Sequence, residues 1–205
     1  MEENKIQLIL ASASPRRKDL LQGCFLNYLI RVSNTDENID GYGPSELVEK
    51  LAFEKAQDVL EKSSEKNILV LGADTVVVIG DEILGKPRDT QEAREMLRKL
   101  SGKEHTVMTG VTLLTRGNTI SFVEKTKVTF SKISEDLLEL YLATGESLDK
   151  AGSYGIQGVA LSFIEKIEGS YSNVVGLPVD RCLSEIKNIV GAGIDQSGGW
   201  RERFI

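Results

Sequence analysis

The chain has 205 residues, of which 40% are hydrophobic and 27% charged, the composition of a globular protein with a sizeable core. A formal charge of −6 and a pI near 5.0 exclude the broad basic surface of a general nucleic-acid binder, so any cationic site must be local. No apolar run reaches the length of a membrane span, Met1 to Leu10 is too polar for a signal peptide, and Cys24, Cys182 and the single His105 are too few for a structural zinc site; reduced thiols and a cytoplasmic location are expected.

The first element is an apolar strand over 6–11, and Ser12-Ala13-Ser14-Pro15-Arg16-Arg17 join it to a helix over 15–23. Ser14 suits the N-cap and Pro15 the first helical position, which puts Arg16, Arg17 and Lys18 in the first turn. The helix dipole disfavours each cation there by about 0.3–1 kcal/mol. A phosphate docked on the exposed backbone N–H groups would reverse that sign; arginines directed into water are the alternative.

After an extended segment at Leu29 to Val32 and a polar loop from Ser33 to Gly43 that carries Glu37, a long helix begins at Pro44 and runs to about Lys62. Leu47, Val48, Leu51, Ala52 and Val59 form its apolar stripe, and Lys55 projects from the middle of that stripe. An inward ammonium needs a carboxylate or a phosphate, unless its stem snorkels to solvent.

Ile68 to Ile79 is a β-rich run interrupted by Gly72-Ala73-Asp74-Thr75. Gly72 and Ala73 remove bulk where a ligand would approach the backbone, and Asp74 is either a site carboxylate or the cap of a bulge. Gly80-Asp81 turns the chain into a short strand at Ile83-Leu84, and Gly85-Lys86-Pro87 is expected to return Lys86 toward Asp74.

A helix over Thr90 to Leu100, a hairpin of His105 to Leu114 with Thr119 to Phe130, and a helix over Ser134 to Ala143 follow. Gly152 to Gly158 is expected to be irregular, Val159 to Ile167 a strand, Asn173 part of a loop, and Asp180 to Val190 a helix. The alternation predicts an α/β or mixed α+β fold, with one domain over 1–190 and a mobile tail over 191–205.

Arg16, Arg17, Lys55 and Lys86, with Asp74 and Glu37, describe a polyphosphate site better than an apolar pocket, and a carboxylate among cations holds Mg²⁺ or orients water. The Walker pattern and the GxSxG elbow are both absent, so Asp74 is the best available base.

These residues resemble the Maf-type nucleoside triphosphate pyrophosphatases from Leu8 to about Val179. The blocks that carry the resemblance are LASASPRR (10–17), AFEKA (52–56), GADTVV (72–77), GKP (85–87), HTVMTGV (105–111), GSYGIQG (152–158) and YSNVVGLP (171–178). The resemblance implies an inosine-triphosphatase-like fold: a mixed twisted sheet flanked by helices, two lobes around a deep cleft, and a homodimer. It implies hydrolysis of a nucleoside triphosphate to monophosphate and pyrophosphate with Mg²⁺ or Mn²⁺, without nucleic acid or membrane as partner.

Carried over residue by residue, Asp74 becomes the proton acceptor and, with Glu37, a metal-site carboxylate. Ser12, Arg16, Arg17, Lys55 and Lys86 grip the phosphates. Arg16, Thr75 and Gln157 occupy the specificity positions, and their pattern resembles the branch acting on dTTP, UTP and modified pyrimidine triphosphates. A glutamine amide and a threonine hydroxyl can pair with the carbonyl and N3–H edge of uracil or thymine. The alternative implied by relatives is a nucleotide-binding regulator of septum formation that acts without turnover.

Overall fold

The computed structural model describes residues 5–35, 41–191 and 199–205. In chain order its elements are β1 (Gln7–Ala11), α1 (Pro15–Gln22), β2 (Leu29–Ile30), α2 (Pro44–Glu61), β3 (Ile68–Ile79), β4 (Glu82–Leu84), α3 (Thr90–Leu100), β5 (Glu104–Leu114), β6 (Thr119–Phe130), α4 (Glu135–Ala143), β7 (Ile164–Glu168), α5 (Tyr171–Val175) and α6 (Val179–Gly191). Among the described residues, no helix is long and apolar enough to cross a membrane. The sheet is mixed and helix-flanked, as expected: β1 pairs in parallel with β2 and β3, whereas β4 and β7 pair antiparallel with β3 and β6.

The chain divides into two compact units, Met1–Asp74 with Gly110–Val123 and Gly176–Ile205, and Thr75–Thr109 with Glu124–Val175. The division falls inside β3, between Asp74 and Thr75.

In the first unit β1 lies between β2 and β3, with Ile9 opposite Leu29 and Ala11 opposite Gly72. The chain therefore leaves β1 toward β2 through α1 and crosses back to its other side through α2. That makes β1 the point where strand order reverses, and open α/β sheets bind ligands at the carboxyl ends of strands at such a point. Both faces of β1 and of the first half of β3 are apolar because both are covered. Leu8, Leu10, Leu69 and Leu71 pack with Leu21 of α1 and with Cys182 and Ile186 of α6, while Ile9, Ala11, Ile68 and Val70 pack with Ala56 and Val59 of α2.

Gly72 has a different cause from the one its place in the strand suggested. A Cβ built there would lie 2.2 Å from the Ala52 carbonyl oxygen and 2.9 Å from the Ala56 nitrogen. The missing side chain admits the backbone of α2, not a ligand. Gly110 on the neighbouring β5 does the same, with its Cβ position 2.1 Å from the Val48 oxygen. Two glycines on adjacent strands thus seat the helix directly on the sheet.

Of the tail expected over 191–205, Gly191 closes α6, 192–198 lie outside the described residues, and Gly199–Arg203 is a 3-10 helix. Trp200 and Phe204 are buried in the first unit, and Ile6 N donates to Arg203 O at 2.7 Å. Two aromatic side chains anchor a segment that has no repeat to reveal it.

The second unit encloses its own core, in which Val77, Leu97, Val107, Phe130, Tyr141 and Phe163 participate. Here the strand expected over Val159 to Ile167 is corrected: Gly158–Phe163 is a 3-10 helix, and the strand begins only at Ile164. Gly158 turns the chain at φ +77, and the i, i+3 spacing of buried Ala160 and Phe163 suits three residues per turn. The segment around Asn173 is likewise a one-turn helix, α5, whose Asn173 N–H is capped by Ser170 Oγ at 3.2 Å.

Candidate functional site

The first unit holds Ser12, Arg16, Arg17, Lys55 and Asp74. Ser14 is the N-cap of α1, accepting from Arg17 N at 3.4 Å, and Pro15 occupies the first turn, so Arg16 and Arg17 stand where the sequence placed them. Two contacts help to fix Arg17: its Nε donates to the Gly176 carbonyl at 2.8 Å and Nη1 to Ser12 Oγ at 3.2 Å. Ser12 Oγ also accepts Ser14 N at 3.2 Å, so one hydroxyl organises both the loop and the guanidinium. Arg17 lies at the positive end of a helix whose first turn carries no acid, the polarity that favours a bound anion.

Lys55 lies on the buried stripe of α2 and is 8% exposed. Its Nζ donates to Asp74 Oδ1 at 2.5 Å. The inward lysine therefore has the carboxylate that burial requires. Register explains why these groups share one end of the sheet. Ala11 pairs with Gly72 in parallel, so Ser12 follows β1 at the level where Ala73 and Asp74 follow Gly72. Side chains alternate along β3, placing Gly72 and Asp74 on the face that α2 covers, while Ala73 joins the opposite cluster.

The second unit carries Thr75, Lys86 and Gln157. Thr75 Oγ1 lies 3.0 Å from Thr109 Oγ1, and buried Thr109 donates to the Asn173 carbonyl at 3.3 Å. Lys86 is exposed, and the Gly85 carbonyl beside it accepts Gly152 N at 3.0 Å. The block that carries Gln157 is mostly structural. Gly152 at φ +65 sits against Val77, Ser153 Oγ bonds Met96 Sδ, and Tyr154 and Ile156 are buried, leaving Gln157 exposed.

His105 is no general base. Its Nε2 lies 2.7 Å from Tyr154 Oη inside an aromatic cluster with Phe130, and burial pushes its pKa down to about 4. Glu37 lies outside the described residues. Among those described, no group of three or more His, Cys, Asp or Glu side chains could hold a metal ion.

Composition and periodicity missed three residues that position the others: Gly110, Thr109 and Gly176. A glycine inside an apolar strand was a usable signal for Gly110. The carbonyl of Gly176 that holds Arg17 had none, because a backbone acceptor leaves no trace in residue type.

A family model described as Maf-like protein matches residues 7–189. A dTTP/UTP pyrophosphatase of Bacillus cytotoxicus is 48% identical over 182 residues, covering 88% of this chain and 94% of that one. One from Geobacillus sp. is 50% identical over 184 residues, covering 89% and 98%. Among solved structures, that of the Staphylococcus aureus Ham1 protein overlaps 60% of this chain and 71% of its own at 12% identity and a TM-score of 0.45, too distant to add to these matches.

Proposed function

The chain belongs to the Maf-like protein family, and from that premise we propose that it is a nucleoside triphosphate pyrophosphatase, hydrolysing dTTP and UTP between the α- and β-phosphates to monophosphate and pyrophosphate. The observation that carries this reading is the 48–50% identity, across nearly the whole length of both chains, to proteins named for that activity. A regulator that binds nucleotide without turnover is not favoured by relatives named as enzymes.

Asp74 is the proposed proton acceptor. Lys55 holds Oδ1, and Oδ2 is left to act on an attacking water. Ser12, Arg16 and Arg17 grip phosphate oxygens, with the α1 N-terminus contributing its dipole and the Arg17 fork pre-set by Ser12 and Gly176. Lys86 adds a further cation, while Thr75 and Gln157 read the pyrimidine edge. We also propose a cytoplasmic homodimer.

A divalent cation fits these residues. Magnesium is commonly held by one or two carboxylates together with substrate phosphates, so a protein cage is not required, and Asp74 keeps one oxygen beyond the Lys55 bond. Asp74 would hold it, joined by Glu37 in the proposed set. Bound there, Mg²⁺ or Mn²⁺ neutralises charge on the phosphate oxygens.

The test is a panel of dTTP, UTP, CTP and purine triphosphates with Mg²⁺ or Mn²⁺, resolved for products. Pyrophosphate and monophosphate from dTTP and UTP support the reading; diphosphate with orthophosphate, or intact bound nucleotide, overturns it.

A further inference from the structure

We propose a second anion site on the first unit, at the opposite end of its parallel strands from Asp74, that takes a phosphate-bearing ligand of two or more negative charges. A cavity of about 340 Å³ opens where Ile6 precedes β1, where Asn67 leads into β3, and beside the β5–β6 turn at Thr115 to Gly117. Asp74 lies six steps along β3 from Ile68, a span of about 20 Å at strand rise. The cavity is therefore distinct from the Asp74 group and does not rest on the proposed activity.

Among the described residues three cations line it, Lys66, Arg116 and Arg203, and no carboxylate does. They come from remote parts of a chain whose formal charge is −6. Elsewhere four arginines are paired with acids: Arg31 with Glu65, Arg88 with Glu92, Arg94 with Glu139 and Arg98 with Glu135. Among the described residues Lys66, Arg116 and Arg203 have no ion pair, and Glu65, the acid next to Lys66 in sequence, is committed to Arg31.

The two guanidinium groups are nevertheless held in place. Arg116 Nε donates to Glu65 O at 3.1 Å and Nη2 to Ser63 O at 2.6 Å, and Arg203 Nη1 donates to Val190 O at 2.6 Å. Carbonyls hold the forks without cancelling their charge, and each guanidinium keeps further N–H donors beyond these bonds. Three like charges gathered without a counter-ion repel one another, and a multiply charged anion relieves that cost while accepting bidentate bonds. A phosphate group meets both requirements, and a cavity of this size holds it together with a small attached group.

The experiment titrates the metal-free chain with inorganic pyrophosphate and, in a parallel arm, with orthophosphate, following backbone amide NMR signals. Saturable shifts are expected at Asn67, Thr115 and Gly117, with midpoints weakened at least tenfold by Lys66→Glu. That exposed side chain makes no hydrogen bond among the described residues, so the variant should fold normally and turn over substrate as before. Saturation by both anions would assign the site to a single phosphate group, and by pyrophosphate alone to a diphosphate-bearing ligand. Absence of shifts at these amides with either anion, or shifts indifferent to Lys66→Glu, would overturn the proposal.

Discussion

Lys55 Nζ lies 2.5 Å from Asp74 Oδ1, and the two side chains are only 10% and 12% exposed. Each charge is tolerable there because the other is present. Replacing Lys55 with Met should destabilise the fold by about 3 kcal/mol, since an uncompensated carboxylate would remain. Adding Asp74→Asn to that variant should recover much of the stability and none of the turnover. A double-mutant cycle in urea, run beside a pyrophosphate assay, separates the two effects.

The pair depends on how closely α2 sits against the sheet. Gly72→Ala would place a Cβ 2.2 Å from the Ala52 oxygen, and Gly110→Ala one 2.1 Å from the Val48 oxygen, so either change must lift the helix that carries Lys55. Each is expected to cost about 2–3 kcal/mol, on the scale of overpacked cores, and to reduce activity further than the stability loss explains. Gly117→Ala, with nothing within 4 Å of its Cβ position, is the neutral control. Thermal melts and kcat at a temperature where every variant is folded provide the comparison.

This dependence also shows what residue order made legible. The unfavourable placement of Arg16 and Arg17 and the inward position of Lys55 were visible in sequence because each broke a local rule of helix electrostatics or amphipathicity. Gly72 broke a strand rule too, but the same signal serves a ligand or a neighbouring helix, and only the packing of α2 distinguishes them. The 3-10 helix at Gly158–Phe163 looks like strand in sequence because a short run of Val, Leu and Phe is compatible with either state. The burial of Trp200 and Phe204 was not legible at all, because it comes from contacts some 180 to 200 residues away in sequence, such as that of Arg201 Nε with the Cys24 carbonyl.

Ser12 also acts through Arg17. With Ser12→Ala the guanidinium keeps its bond to Gly176 but loses the Ser12 oxygen, and the Ser14 N–H loses its partner. A hydrogen bond to a charged group contributes about 1.5–3 kcal/mol, so kcat/KM for dTTP should fall at least tenfold, chiefly through KM. Steady-state kinetics over a substrate series checks this. Ser12→Thr, which retains the hydroxyl, should recover part of the loss.

His105 gives the fold a pH dependence separate from catalysis. Its pKa, near 6.5 in the unfolded chain, falls to about 4 when buried, so between those values the unfolded state binds a proton that the folded state does not. Stability is complete above pH 6.5 and is lost as pH falls toward 4, by about 3 kcal/mol in total. His105→Gln should be less stable at pH 7 yet show a flatter dependence across this window. Urea midpoints at pH 7, 6, 5 and 4 measure both.

The central claim is that Asp74 receives the proton while pyrophosphate departs. Its most direct measurement is product-resolved turnover of dTTP and UTP by the parent chain and by Asp74→Asn, with nucleotide binding measured on both. The account requires monophosphate and pyrophosphate from the parent, and from the variant a rate at least about a thousandfold lower with binding retained. An Asp74→Asn protein that releases pyrophosphate at a near-normal rate would contradict it.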